Sequence, residues 1–348
     1  MRKIRTYIHE VMLDTKRGAF AGAIRTVLSI ISILYGTVLC VRDALIRAGA
    51  FKVRKVCAPV ISVGNLTFGG TGKTPFVIML SRLLRDSMKK SVAVLIRGYG
   101  EDETALLKES LPDELVLVGR DRAATANEAV RARKDVTIIL DDGFQHRALS
   151  RDIDIVLIDT RNPFGNNRLC PRGILREPVR NITRASICVL TKTDRPLSDV
   201  ARIENTVRSY KNDILIVRSA HLPVCFIDER SSMRVGLDFI EKKRVFIVSG
   251  IGDPGYFQEM VQGLGGVVAG HLRYPDHHGY PDRDLDEIRT GFDAANADCI
   301  VTTEKDMTKL RRLAPKFRAG TILSLRIEMR ITDGEDRFVD RLHSLYTG

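Results

Sequence analysis

Two hydrophobic patterns divide the chain near residue 55. Before it lies an uncharged run of 16 residues, TVLSIISILYGTVLCV (26–41), between Arg25 and Arg42. From Val56 onward, short apolar runs alternate with amphipathic stretches. The runs are 56–63, 92–96, 115–118, 136–140, 153–158, 186–190 and 214–217, and the stretches include Lys73–Met88, Asp121–Arg133 and Asp199–Tyr210. Continuous apolar strands separated by helices predict an α/β fold with a parallel sheet covered on both faces. After Cys225 a polar passage (226–236) predicts a connector or hairpin strand. A second α/β series follows, with strands at 245–249, 266–269 and 299–303 and helices near Gly255–Gly263, Asp282–Ala294 and Lys305–Leu313. The alternating LSLRIEMRI (323–331) is suited to pair back with the connector. The expected organisation is a helical segment over 1–50, a first α/β domain over 51–224, a linker strand region over 225–240, a second α/β domain over 241–322, and a return strand with a C-terminal helix over 323–348.

As a helix, the uncharged run spans roughly 24 Å, short of a hydrocarbon core of roughly 30 Å. Arg2, Lys3, Arg5, Lys16 and Arg17 precede it, and Arg42, Arg47, Lys52, Arg54 and Lys55 follow. With basic residues on both sides there is no asymmetry to orient a span. The expectation is a helix in or on the membrane with both ends cytosolic; a buried core helix and a tilted span are the alternatives.

Lys and Arg exceed Asp and Glu by 55 − 43 = 12. That excess favours anionic partners: phosphates, lipid headgroups or nucleic acid. Trp is absent and aromatics make up 6% of the chain, which argues against a stacking platform for nucleic acid. The six cysteines are scattered without a C-x-x-C pair, so neither a disulfide framework nor a structural zinc is expected.

The most specific local signal is VISVGNLTFGGTGKTP (60–75), a buried-type strand running through a glycine turn into a helix. This is the context of a phosphate-binding loop. Backbone N–H groups of residues 67–74 (Thr67, Phe68, Gly69, Gly70, Thr71, Gly72, Lys73 and Thr74) would surround phosphate oxygens. Lys73 would reach the outer phosphates and Thr74 would offer its hydroxyl to Mg²⁺. The pattern departs from G-x-x-x-x-G-K-[ST] at Thr67, where glycine is expected. A second apolar strand, VTIILDDGFQH (136–146), ends in Asp141 and Asp142, suited to hold Mg²⁺ directly or through water. A third ends in Thr191-Lys192-Thr193-Asp194, similar to the base-reading motif of GTPases. A membrane-associated GTPase is therefore the competing reading, although Asp141-Asp142-Gly143-Phe144 does not form the expected switch motif.

With GNLTFGGTGKTP, the strings IRGYG (96–100), ILDDGFQHRALSRD (139–152), PRGILREP (171–178), SGIGDP (249–254), YPDHHGY (274–280) and TTEKDMTKL (302–310) resemble the tetraacyldisaccharide 4′-kinase family along nearly the whole chain. The resemblance implies transfer of the ATP γ-phosphate to the 4′-hydroxyl of an acylated glucosamine disaccharide 1-phosphate. It also implies Mg²⁺ dependence, two α/β/α domains joined by a two-stranded linker, and an enzyme peripheral or monotopic at the cytoplasmic face of the inner membrane. No nucleic acid and no obligate protein partner are expected. The family's base is an Asp in a G-D-E-P segment, assisted by a His in an F-P-D-H segment. Here IRGYG runs directly into Glu101-Asp102-Glu103-Thr104, a shortened loop in which Asp102 aligns with the base and Glu103 with a further Mg²⁺ ligand. His277 aligns with the assisting His, beside His278.

Alternatives remain open for several of these residues. Asp102 could be a solvated loop carboxylate, and the two histidines a surface pair. Glu304-Lys305-Asp306 could serve only as a helix start. Gly250 and Gly252 could bind phosphate or merely turn the chain, and Arg176 and Glu177 are candidates to line the cleft.

Overall fold

The computed structural model describes residues 14–98, 101–194, 199–311 and 321–347, together with 7 and 10–12. Arg2, Lys3 and Arg5, the last two residues of IRGYG, and the end of the helix expected at Lys305–Leu313 lie outside them.

Helix α1 (Ala19–Arg47) is followed by β1 (Val60–Asn65), α2 (Lys73–Asp86), β2 (Ser91–Ile96), α3 (Glu101–Ser110), β3 (Leu115–Val118), α4 (Arg122–Ala132), β4 (Val136–Asp141), β5 (Ile153–Asp159), β6 (Ile187–Thr191), α5 (Val200–Tyr210) and β7 (Leu215–Asp228). Next come β8 (Met233–Val235), β9 (Arg244–Ser249), α6 (Pro254–Gly263), β10 (Val267–Arg273), α7 (Asp282–Ala294), β11 (Cys299–Thr303), α8 (Glu304–Leu310), β12 (Thr321–Asp333) and α9 (Glu335–His343).

Among the described residues these strands form one sheet in the order β10-β9-β11-β12-β7-β6-β5-β1-β4-β2-β3, with β8 beside β7. All pairings are parallel except β12–β7 and β7–β8. Strands β1, β4, β5 and β6 are buried at every position, as their unbroken apolar runs predict. The alternating 323–331 segment does return to the connector, as part of β12 against β7. Strand β7 is longer than the run expected at 214–217, because residues 215–218 pair with β6 and residues 218–228 pair with β12. The two expected strand series thereby join into a continuous sheet.

Residues 101–110 form helix α3, where the sequence suggested only a shortened loop. Asp102 and Glu103 in its first turn favour the helix dipole, and Leu107 packs in the core with Leu111 beyond its end. Phe76, Leu80 and Leu84 of α2 pack in that core with Met329 of β12 and Phe338 of α9. In the parallel register of β1 and β4, Val63 lies opposite Asp141. The phosphate loop and the acidic pair therefore open at the same sheet edge, outside the carboxyl ends of the strands.

Helix α1 is longer than its uncharged run because Arg25 does not end it. The Arg25 guanidinium donates to the Lys16 carbonyl and lies 3.3 Å from Asp14. At 29 residues the helix is long and apolar enough to cross a membrane by length and composition. Only Ala21, Ser32 and Leu39 are buried, so it is not a core helix. Its contacts with the body fall on one polar stripe. Ser32 donates to the Leu169 carbonyl (2.9 Å), Tyr35 to the Arg176 carbonyl (2.9 Å) and Arg42 to Glu177 (2.7 Å). Val27, Ile30, Ile33, Leu34, Val38 and Val41 remain exposed.

Candidate active site

Buried Asn65, at the end of β1, orders the phosphate loop. Its Nδ2 donates to the Thr67 carbonyl (2.8 Å) and the Thr71 hydroxyl (3.0 Å), while Oδ1 accepts from Lys73 Nζ (3.3 Å) and Arg176 Nη1 (3.2 Å). Thr67 needs no glycine, because it pairs with Leu175 in an antiparallel bridge. Phe68 is exposed, and its amide donates to the Ile174 carbonyl at 2.7 Å. Gly69 and Gly72 have φ of +116° and +84°, the left-handed region that favours glycine. Gly70 serves a different need, close approach to Gly252 in the turn before α6. A Cβ on Gly252 would lie 2.3 Å from the Gly70 amide nitrogen. Gly252→Ala should therefore destabilise the protein by roughly 1–3 kcal/mol and weaken ATP binding. Urea unfolding and nucleotide titration check this, and unchanged values in both would show that the turn yields freely.

At the end of β4, Arg176 donates to both Asp142 oxygens (2.6 and 3.0 Å), and Lys73 Nζ stands 3.7 Å away. Burial opposes ionisation of Asp142, but Lys73 and Arg176 outweigh it and hold its carboxyl below the ordinary value. Asp141 is the contrasting partner: burial, with Glu103 nearby, pushes its carboxyl up to about 7. Its Oδ1 is buried without a hydrogen-bond partner. Arg122 donates to the Asp141 carbonyl at 2.6 Å.

Among the described residues, no group of three or more His, Cys, Asp or Glu side chains could hold a metal by itself. Mg²⁺ needs no such group, since one or two carboxylates with phosphate oxygens and waters are its usual shell. Asp142, Glu103 and Thr74 line one cleft and supply oxygen donors of that kind. Asp141, the other member of the acidic pair, is buried next to Asp142 with an orphaned oxygen.

Asp102 is buried beside Glu103 and His277, which line the same cleft as Lys73. Its carboxylate accepts from His277 Nδ1 (3.1 and 3.2 Å) and from Lys309 Nζ (2.9 Å). It is a buried group and not a solvated loop carboxylate. Burial alone would raise its pKa, but His277, Lys309 and Lys305 more than offset that and hold it well below the usual carboxylate range. The Asp102 hydrogen bond in turn raises the His277 imidazole. Glu103 Oε1 accepts from Lys305 at 3.3 Å and lies 3.8 Å from His277 Nε2. His278 has a separate role, pairing with Asp284 and stacking on Tyr274 at 4.5 Å between ring centroids.

The remaining candidates divide between cleft and scaffold. Arg176 lines the cleft, whereas Glu177 is buried beneath it and pairs with Arg42 and Arg184. Asp253 caps α6 by accepting from the Tyr256 amide (2.9 Å), so Gly250 and Gly252 turn a capped helix start. The groups a GTPase would direct at guanine are engaged by protein. Lys192 is 2% exposed and pairs with Asp159 and Asp253, and Asp194 accepts from the Tyr256 hydroxyl (3.1 Å).

The sequence reading assigned no role to Asn65 or Lys309. A polar residue closing an otherwise apolar strand before the glycine turn marks the first. The four-residue spacing of Lys305 and Lys309 on one helix face marks the second.

The family model described as "LpxK: Tetraacyldisaccharide-1-P 4′-kinase" matches residues 24–102 and 101–346. The two stretches meet where the shortened loop brings in Asp102. A tetraacyldisaccharide 4′-kinase of Anaeromyxobacter sp. (strain Fw109-5) is 37% identical, over 86% of this chain and 86% of its own. One from Syntrophus aciditrophicus is 36% identical, over 87% of this chain and 88% of its own. The crystal structure of LpxK from Aquifex aeolicus in complex with ATP is similar with a TM-score of 0.72 and 29% identity, covering 93% of this chain and 99% of that one.

Proposed function

This chain belongs to the tetraacyldisaccharide-1-P 4′-kinase family, and from that membership we propose how its cleft divides the work. The protein is an ATP-dependent lipid kinase that phosphorylates the 4′-hydroxyl of tetraacyldisaccharide 1-phosphate, a step of lipid A biosynthesis. A sugar hydroxyl is a poor nucleophile, so a positioned base must accept its proton as the bond to phosphorus forms. Asp102 is that base, and His277 orients it and shares the proton. Lys73 and the amides of the phosphate loop hold the transferring phosphate and neutralise its developing charge. Mg²⁺, held by Thr74 and Asp142 with Glu103 and Asp141 nearby, supplies further charge neutralisation when bound.

The observation that carries this reading is the hydrogen bond from His277, which lines the same cleft as Lys73, to buried Asp102. Incubation with γ-labelled ATP or GTP and the acceptor lipid in detergent tests it. Label is expected in lipid from ATP; GTP hydrolysis without lipid labelling would favour the GTPase.

The division of the chain is likewise proposed. Residues 51–224 form the nucleotide-binding domain and 241–322 the second domain, linked by 225–240 and 323–348. Separate cores support it, one around Phe76 and Ile139 and another around Phe246 and Tyr280. Helix α1 holds the enzyme at the cytoplasmic face of the inner membrane, peripheral or monotopic. Its polar stripe is bound to the body while its apolar side faces outward, which suits lying on a leaflet better than crossing it. Ile33→Lys with Leu34→Lys, at side chains 69% and 62% exposed, should release the protein from anionic vesicles without unfolding it. Unchanged sedimentation with vesicles at high salt would count against this placement.

A further inference from the structure

Helix α8 delivers two ammonium groups to the carboxylates at the start of α3. Lys305 and Lys309 are four residues apart, so they lie on one helix face. Lys309 Nζ donates to Asp102 Oδ2 at 2.9 Å. Lys305 Nζ donates to Asp276 (3.1 Å) and Glu103 (3.3 Å) and stands 3.9 Å from Asp102 Oδ2. These are not loose surface cations: the Lys309 and Lys305 side chains are 21% and 19% exposed, and that of Asp102 is 3%.

A carboxylate turns easily about its last torsion. His277 Nδ1 sits 3.2 Å from Oδ1 and 3.1 Å from Oδ2, so the imidazole does not choose between them. Lys309 breaks that symmetry by holding Oδ2 alone. We propose that Lys309 is a positioning residue that fixes the rotation of the Asp102 carboxylate, so that Oδ1 is the oxygen presented to the acceptor hydroxyl. This rests on the reading of Asp102 as the base, and it adds a residue that the base-and-histidine pairing leaves out. Lys305 gives its hydrogen bonds to Glu103 and Asp276, so the two lysines divide their hydrogen bonds among three carboxylates.

The charged groups around Asp102 are His277, Lys305, Lys309, Glu103 and Asp276.

The test uses the full chain in detergent with ATP and acceptor lipid. Lys309→Met should lower kcat by roughly 10- to 100-fold while leaving the KM for ATP unchanged. Lys309→Arg should recover most of the rate. Lys309→Gln, closer in polarity, gives the same reading should the methionine variant not fold. In an Asp102→Asn background, Lys309→Met should add nothing. Normal kcat in Lys309→Met and Lys309→Gln, beside an impaired Asp102→Asn, would overturn the role of Lys309 alone. Normal turnover in Asp102→Asn would overturn the base assignment, and this inference with it.

Discussion

Asp102→Asn lowers kcat by roughly 10²- to 10⁴-fold while ATP still binds. The substitution keeps the size of the side chain but removes the proton acceptor. The partners of Asp102 among the described residues are His277, Lys309 and Lys305, none of them in the phosphate loop, so nucleotide affinity should be preserved. Isothermal titration with ATP, set beside turnover, separates the two effects. Proton linkage provides an independent check. The Asp102 carboxyl is held well below the usual range, so it stays ionised throughout the assay range. The His277 ring is raised by its hydrogen bond to that carboxylate. As pH falls through the raised value the ring becomes fully protonated and cannot take up the acceptor's proton, so the acid limb of kcat/KM lies above the ordinary imidazole value. In Asp102→Asn the His277 titration, followed by NMR, should fall back towards that ordinary value. An unmoved His277 titration would mean that the two side chains do not interact in solution.

Lys73→Ala is the second large effect, with kcat lower by roughly 10²- to 10³-fold and weaker ATP binding as well. Lys73 lies 3.3 Å from Asn65 Oδ1 and 3.7 Å from Asp142, so it sits where the loop meets the acidic strand end. Its removal also takes one of the three cations, with Arg176 and Arg122, that stabilise ionised Asp142. Lys73→Arg should not restore the rate, because a planar guanidinium does not replace a compact ammonium in a loop built around it. Steady-state kinetics with ATP as the varied substrate checks this. A normal KM and kcat in Lys73→Ala would remove the phosphate loop from the account.

The sequence made the layered α/β plan legible because the buried parallel strands are dominated by apolar residues on both faces, and such short runs between helical stretches read directly. The phosphate loop was legible for the same local reason, a strand, a glycine turn and a helix in succession. Long-range geometry was not. Nothing in residues 215–228 announces that one strand pairs with β6 on one side and β12 on the other. Helix α3 was hidden because its stabilisation comes from burial of Leu107 with Leu111 beside it and from contacts with α8. Asp102 and His277 are 175 residues apart, and only the fold brings them within hydrogen-bond distance. Glu177 reads like a cleft residue in ILREP, yet its partners Arg42 and Arg184 are supplied by other elements.

The most direct measurement is the structure of the lipid after reaction with ATP, by mass spectrometry and ³¹P NMR. The expected product carries one added phosphate, seen as a second phosphomonoester coupled to the proton on the 4′ carbon. Lipid recovered unchanged while ATP is hydrolysed, or phosphate attached at another hydroxyl, would contradict the assignment of this cleft.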